Sequence, residues 1–309
     1  MSTALITHPA CLEHEVPPGH PERPARLRAV LDALQEPPFN ELRREEAPRA
    51  TLDDVALIHD RAYAQRLLEA VPSEGFAQID PDTFLSPGSG EAALRAVGAA
   101  MHGVDLVMQG TVRNAFCAVR PPGHHAEPDQ AMGFCFFNSI AIAAAYARAH
   151  YELKRIAVID FDVHHGNGTE AAFAADPNLF YASTHQSPLY PGTGHADTRG
   201  VAGNILNLPL AAGTAGPAFR AIVAQRLLPL LEEFAPDFIL ISAGFDAHLA
   251  DPLANLCLSP EDFGWITAEV CALADRLCAG RVVSALEGGY DLGGLAASAQ
   301  AHVRALMAA

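Results

Sequence analysis

Lysine is almost missing from this chain: Lys154 is the single lysine among 20 Lys and Arg residues, against 36 Asp and Glu, and the net charge is −16. That balance disfavours nucleic acid as a partner, because phosphate is held by clustered basic side chains. It suits a cationic substrate, and equally a plain solubility role. The lack of lysine, together with the alanine richness, suggests a GC-rich bacterial genome. No apolar run reaches membrane-spanning length, so no membrane partner is expected. Residues 1–9 lack a basic segment followed by a long apolar one and read as a first strand, not a signal peptide. The six cysteines (Cys11, Cys117, Cys135, Cys257, Cys271 and Cys278) are scattered, without a C-x-x-C pair. A disulfide framework is not expected at this size, and the thiols read as small core residues of a cytoplasmic protein. No repeat, low-complexity tract or linker divides the 309 residues, so one large domain over 1–309 is expected.

The richest stretch is Ile159-Asp160-Phe161-Asp162-Val163-His164-His165-Gly166-Asn167-Gly168. It leaves an apolar run, Arg155-Ile156-Ala157-Val158, that reads as a buried parallel strand. Side chains alternate along a strand, so 160, 162 and 164 are expected on one side. Burying these carboxylates and imidazoles without a counter-ion would be costly, and the donor types suit Zn²⁺ or a similar divalent ion.

Around it, strands and helices alternate. Helices are expected over 25–34, after Thr51, and over 60–71, 91–108, 139–151, 215–234 and 259–278, and at the end of the chain. Strands are expected over 115–119, 179–184, 204–208, 238–242 and 281–286, with a loop over 80–90. This is the pattern of an α/β fold, a mainly parallel sheet with helices on both faces, whose ligands gather at the carboxyl ends of the strands.

Several polar clusters follow expected strands and so fall on that one edge. Asp246 is a candidate third ligand beside Asp162 and His164; three protein ligands leave a coordination position open, as in catalytic zinc sites. His124-His125, in a Pro-Pro-Gly loop, is a candidate proton-handling pair. Asp160 and Asn167 are natural partners for these rings, and an Asp partner raises a histidine pKa more than an Asn partner does. Tyr290, in Glu287-Gly288-Gly289-Tyr290, is placed to donate to an oxygen that gains negative charge. Phe134 and Tyr190 are candidates for the walls of a narrow apolar channel.

At these positions the chain resembles the zinc-dependent histone deacetylase superfamily, which includes acetylpolyamine amidohydrolases and bacterial deacetylase-like proteins. The resemblance starts at His20-Pro21-Glu22-Arg23-Pro24-Ala25-Arg26-Leu27. It passes through 120–126, 133–138, 160–168, 191–194 and 244–246 and ends at 287–290. Met132-Gly133-Phe134-Cys135-Phe136-Phe137-Asn138 and His164-His165-Gly166-Asn167-Gly168 are worded as in the class II branch, where Asn stands at the position of Asn167.

The resemblance implies an arginase/deacetylase fold with Zn²⁺, or Fe²⁺ in its place, on Asp162, His164 and Asp246. It implies His125 as general base and then general acid, and His124 with Asp160 as an electrostatic helper. Tyr290 would polarise the scissile carbonyl. Gly133, Phe134 and Tyr190 would flank an acyl-lysine channel, with Leu253 lining the pocket. A structural K⁺ is implied on Asp160, the carbonyls of Asp162 and His164, Ser183 and Thr184, and a second near Phe173, Asp176, Leu179 and Asn204. The expected reaction is hydrolysis of an acetylated amine, acetyl-lysine in a protein or peptide, releasing acetate. The oligomeric state is left open. Three other readings stand beside it. One is an amidohydrolase of acetylated polyamines or other small amines, with Asp80, Asp82 and Glu127 as acidic rim residues. The others are an arginase-like ureohydrolase and a metal-holding acyl-ligand scaffold without turnover.

Overall fold

The computed structural model describes residues 2–309. Its strands, in chain order, are β1 (Thr3–Thr7), β2 (Arg43–Glu46), β3 (Ala77–Asp80), β4 (Thr83–Leu85), β5 (Asn114–Cys117), β6 (Ile156–Asp160), β7 (Leu179–Gln186), β8 (Ile205–Leu210), β9 (Phe238–Ala243) and β10 (Val282–Leu286). The helices are α1 (Pro24–Ala33), α2 (Leu52–Val55), α3 (Arg61–Glu69), α4 (Ser89–Met108), α5 (Ser139–Tyr151), α6 (Asn167–Phe173), α7 (Gly216–Ile222), α8 (Leu228–Phe234), α9 (Pro260–Leu277) and α10 (Leu292–Ala308).

Eight strands form one sheet in the order β2-β1-β5-β10-β9-β6-β7-β8. Every neighbouring pair in it is parallel. The inner strands β5, β10, β9, β6 and β7 are buried along their whole length. Their Val, Ile and Ala runs are what a strand covered on both faces requires. Alternation shows the two covers in adjacent residues of β10: Val283 meets Gly103 of α4, while Ser284 turns to His302 of α10. Helices α4 and α5 pack together on the first face, and α1, α9 and α10 pack together on the second. The whole is one α/β domain with a mainly parallel sheet, as expected. Among the described residues no helix is long and apolar enough to cross a membrane.

Two local expectations are corrected, and one strand had no expectation at all. The segment Arg43–Glu46 is a strand, although its side chains are all polar, because it forms a sheet edge with little to bury. The expected loop over 80–90 contains the end of β3 and all of β4, an antiparallel pair, and α4 starts at Ser89. The expected helix over 215–234 loosens into a π turn at Val223–Leu227 between α7 and α8. Pro229 supplies the reason: it lacks an N–H, and its ring crowds the carbonyl four residues back. Helices α2 and α9 start where expected, with Asp54 accepting the Thr51 N–H (2.7 Å) and Asp262 that of Ser259 (2.9 Å).

Candidate active site

Five adjacent inner strands end on one edge, and each is followed by a segment that contributes to one site. After β6 come Asp162 and His164, and after β9 comes Asp246. The nearest ligand atoms of these three buried residues lie within 4.8 Å of one another. His164 Nδ1 is 3.2 Å from Asp162 Oδ1 and 3.0 Å from Asp246 Oδ2. Backbone N–H groups aim the carboxylates: His164 N donates to Asp162 Oδ1 (2.9 Å), Gly288 N to Asp162 Oδ2 (2.8 Å) and Val163 N to Asp246 Oδ1 (2.8 Å). Glycine is needed where the chain passes this close. A Cβ on Gly244 would sit 2.0 Å from Asp162 Oδ2, and one on Gly288 would sit 2.1 Å from Asp246 Oδ2.

The electrostatics of this trio fit a bound cation. Burial, then the Asp162 charge, lifts Asp246 to about 7. Burial opposes charge on His164, but Asp162 and Asp246 outweigh it and raise the ring to about 10. Burial would also raise Asp162, but His124 and His164 overcome it and hold the carboxyl well below its usual range. Two carboxylates therefore compete for one imidazole proton, and a divalent ion would satisfy all three groups at once.

The loop after β5 brings two histidines to the same place. His124 Nδ1 lies 3.0 Å from Asp160 Oδ2, which also accepts the Tyr181 hydroxyl (3.0 Å). His125 Nδ1 lies 2.8 Å from Asn167 Oδ1. Burial disfavours charge on both. For His124 the charges of Asp162 and Asp160 reverse the outcome, and its pKa is raised well above the ordinary value. For His125 burial is reinforced by the positive charge of His124 and His164, and its pKa falls well below.

After β10, Tyr290 closes the site. Burial pushes its hydroxyl well above 10, against the pull of the Arg26 guanidinium, which lies 4.7 Å from the ring centre. It is thus a neutral donor. A cavity of about 240 Å³ opens over these groups, walled by Gly133, Phe134, Tyr190 and Leu253, with His125, His164 and Tyr290 within it. Of the residues expected from the sequence, these seven line the cavity, while Asp162, Asp246, His124, Asp160 and Asn167 join them through the contacts above. Asp82 and Leu189 also line the cavity. Glu127, expected on the rim, instead accepts a hydrogen bond from Asn167 Nδ2 (2.8 Å).

Other residues that shape the site were not singled out by sequence reasoning. Asp251 accepts the backbone N–H of Tyr290 (2.7 Å) and of Leu253 (2.9 Å), so one carboxylate fixes both the hydroxyl donor and a channel wall. Glu22 is fully buried between Arg26, Arg120 and His14, and Arg26 in turn donates to the carbonyls of Glu287 and Gly289. The buried Glu287 carboxylate accepts Gly123 N (2.7 Å) beneath the histidine loop. His165 holds Thr193 (2.7 Å) and Glu170 (3.0 Å), tying the loop of Tyr190 to the metal loop. The i,i+4 spacing of Glu22 and Arg26 was the one available signal.

The implied K⁺ positions differ from each other. Thr184 Oγ1 is buried without a hydrogen-bond partner, the demand a cation between β6 and β7 would meet. At the second, the carbonyls of Phe173, Asp176 and Leu179 already converge on Asn204 Nδ2 at 3.0, 3.1 and 2.8 Å. The amide has two N–H donors for these three acceptors.

Residues 20–306 match the histone deacetylase domain. The chain is 40% identical to "Histone deacetylase 14, chloroplastic" of Arabidopsis thaliana, over 94% of this chain and 73% of that protein. It is 38% identical to the "Histone deacetylase-like amidohydrolase" of Pseudomonas aeruginosa, over 88% of this chain and 73% of that one. The crystal structure of the HDA15 HD domain superposes with a TM-score of 0.94 at 33% identity, covering 99% of this chain and 88% of that one.

Proposed function

This chain belongs to the histone deacetylase family and is a hydrolase of amide bonds, and from that premise we propose that it is a zinc-dependent deacetylase acting on acetyl-lysine in peptides or proteins. The observation that carries the reading is the shared cavity. His164 of the ligand trio, the neutral His125 and the Tyr290 hydroxyl all face one apolar-walled space. Asp162, His164 and Asp246 would hold the ion. When bound, it supplies Lewis acidity to the acyl carbonyl and lowers the pKa of water to roughly 7. A structural K⁺ on Asp160, Ser183, Thr184 and the carbonyls of Asp162 and His164 belongs to the same reading.

The chain's own groups then have defined tasks. His125, with Nδ1 occupied by Asn167, presents Nε2 to the cavity, takes a proton from the attacking water and returns it to the departing amine. Tyr290 donates its hydroxyl to the oxygen that becomes negative. His124, charged beside Asp160, favours that negative charge electrostatically. Phe134 and Tyr190 shed water from a linear acyl-amine chain and orient it. The free thiols, five of the six buried, agree with a reducing compartment, the cytoplasm in this reading.

A small-amine substrate is the second reading. It is favoured by the Asp82 carboxylate on the cavity wall and by the likeness to an amidohydrolase. A kcat/KM panel of the zinc-loaded enzyme over acetyl-lysine peptides and acetylated polyamines separates the two. Faster turnover of the peptides is expected; faster turnover of polyamines overturns the peptide assignment, and urea release from arginine overturns both.

A further inference from the structure

We propose that Glu127 is a positioning residue for His125, acting through the side-chain amide of Asn167 to keep Nδ1 as the protonated nitrogen and Nε2 bare. The inference rests on the hydrolase reading and adds to it a residue that touches neither substrate nor metal ligand. Asn167 Nδ2 faces three groups: Glu127 Oε1 at 2.8 Å, the His125 carbonyl at 3.3 Å and Met132 Sδ at 3.3 Å. A carboxylate, a carbonyl and a thioether are all acceptors. On its other side, Asn167 Oδ1 is 2.8 Å from His125 Nδ1. Turning the amide over would set its oxygen against a carboxylate and a carbonyl. The amide is therefore fixed with nitrogen toward Glu127 and oxygen toward the ring. An amide oxygen only accepts, so Nδ1 must carry the hydrogen.

Without Glu127, a backbone carbonyl and a weak sulfur acceptor alone oppose the turn. The turned amide would offer N–H to Nδ1, Nε2 would carry the hydrogen, and the ring could not accept a proton from water. The carboxylate also sets a full negative charge one amide away from His125, where it favours the imidazolium formed in the reaction.

Glu127 is itself held in place. His59 Nε2 accepts Asn138 N–H (2.8 Å), so His59 Nδ1 carries the hydrogen and donates it to the Glu127 carbonyl (2.9 Å). Glu127 and Gln130 exchange backbone hydrogen bonds of 2.9 and 3.4 Å, closing the turn. The carboxylate thus starts from a fixed backbone.

The test uses the zinc-loaded enzyme and two readouts: kcat and KM on an acetyl-lysine peptide, and the ring ¹⁵N signals of His125. Glu127→Ala is expected to lower kcat about 10- to 100-fold with KM within about twofold, and to shift the His125 signals away from Nδ1–H. On an Asn167→Ala background the same substitution should cost less than about twofold, because the relay is already gone. Glu127→Gln, whose carbonyl still accepts from Asn167, should restore most of the loss. A second arm does not depend on how Glu127→Ala folds. Asn167→Asp puts two carboxylates side by side, and adding Glu127→Gln to it should recover kcat at least about fivefold. Wild-type kcat in Glu127→Ala, an equal penalty on both backgrounds, an unchanged Nδ1–H signal or no recovery in the double variant each overturns the proposal. Should the wild-type enzyme release no acetate, the hydrolase reading fails, while the ¹⁵N signals still decide the role of Glu127.

Discussion

His124 and His125 are consecutive, their rings are 4.0 Å apart, and both are buried. They are nonetheless driven to opposite charge states. His124 faces the carboxylate of Asp160 and is held protonated; His125 faces the amide of Asn167 and is held neutral. Other buried histidines extend the comparison, and His14 qualifies it, because burial lowers its pKa although the Glu22 carboxylate lies 3.4 Å away. His164, between two carboxylates, is raised to about 10. His59 and His185, paired with backbone and neutral groups, are lowered by burial to about 4. His302, between Thr267 and Ser284, falls to about 3. Burial opposes the charge on each; carboxylates reverse the outcome at His124 and His164, while Glu22, already paired with Arg26 and Arg120, does not at His14. A positively charged ring and a neutral imidazole thus stand one residue apart.

The most severe way to break the pairing is His125→Ala. It should lower kcat by about 10²–10⁴-fold while metal content stays at the wild-type level, as measured by elemental analysis. Turnover near wild type would remove His125 as the base. Next in size is Tyr290→Phe, which leaves both histidines intact and removes the hydroxyl. A fall in kcat of about 10²–10³-fold with little change in substrate Kd is expected from parallel kinetics and binding measurements.

Asn167→Asp makes the two sides alike and so sharpens the comparison. A carboxylate on Nδ1 raises the His125 pKa, so the acid limb of the kcat/KM profile, which requires neutral His125, should move up by about one pH unit or more. An unmoved limb would assign it to another group.

The smallest effect on turnover comes from the remote histidines, which act on stability instead. His59, His185 and His302 stay neutral when folded but take up protons near pH 6.5 when unfolded. Stability is therefore full above about pH 6.5 and lost as pH falls toward about 4 for the first two and about 3 for His302, by up to ~1.4 kcal/mol per pH unit for each. Glu287 and, in the metal-free protein, Asp246, both lifted by burial to about 7, are protonated earlier in the folded state and offset two of the three. Denaturant titrations from about pH 7 to pH 5 should show a net loss; a flat or rising profile contradicts neutral burial.

The buried strands and the ligands at their ends were legible because each carries its own local signal. Ile156–Asp160 is wholly apolar until the carboxylate that ends it, and Asp162 and His164 follow at once. Glycines flanking Asp246 and Tyr290 mark close backbone approach. The edge strand Arg43–Glu46 has no such signal, because a strand that buries little has no reason to be apolar. The hairpin at Ala77–Leu85 hides behind Asp-Pro-Asp, which looks like loop composition. The roles of Asp251, Glu22 and Glu127 were hidden for another reason: each works through a partner distant in sequence, 39, 98 and 40 residues away for Tyr290, Arg120 and Asn167. Asn167 was readable as a partner of the histidine pair, but what holds its amide was not.

The most direct test is a zinc titration of the metal-free protein with acetate release from an acetyl-lysine peptide as the signal, run in parallel on Asp246→Ala. Activity should be absent at the start, rise in proportion to added zinc and level off at one equivalent, with Asp246→Ala inactive throughout. Turnover by the metal-free protein, or full activity of Asp246→Ala at one equivalent, would contradict a single ion on Asp162, His164 and Asp246.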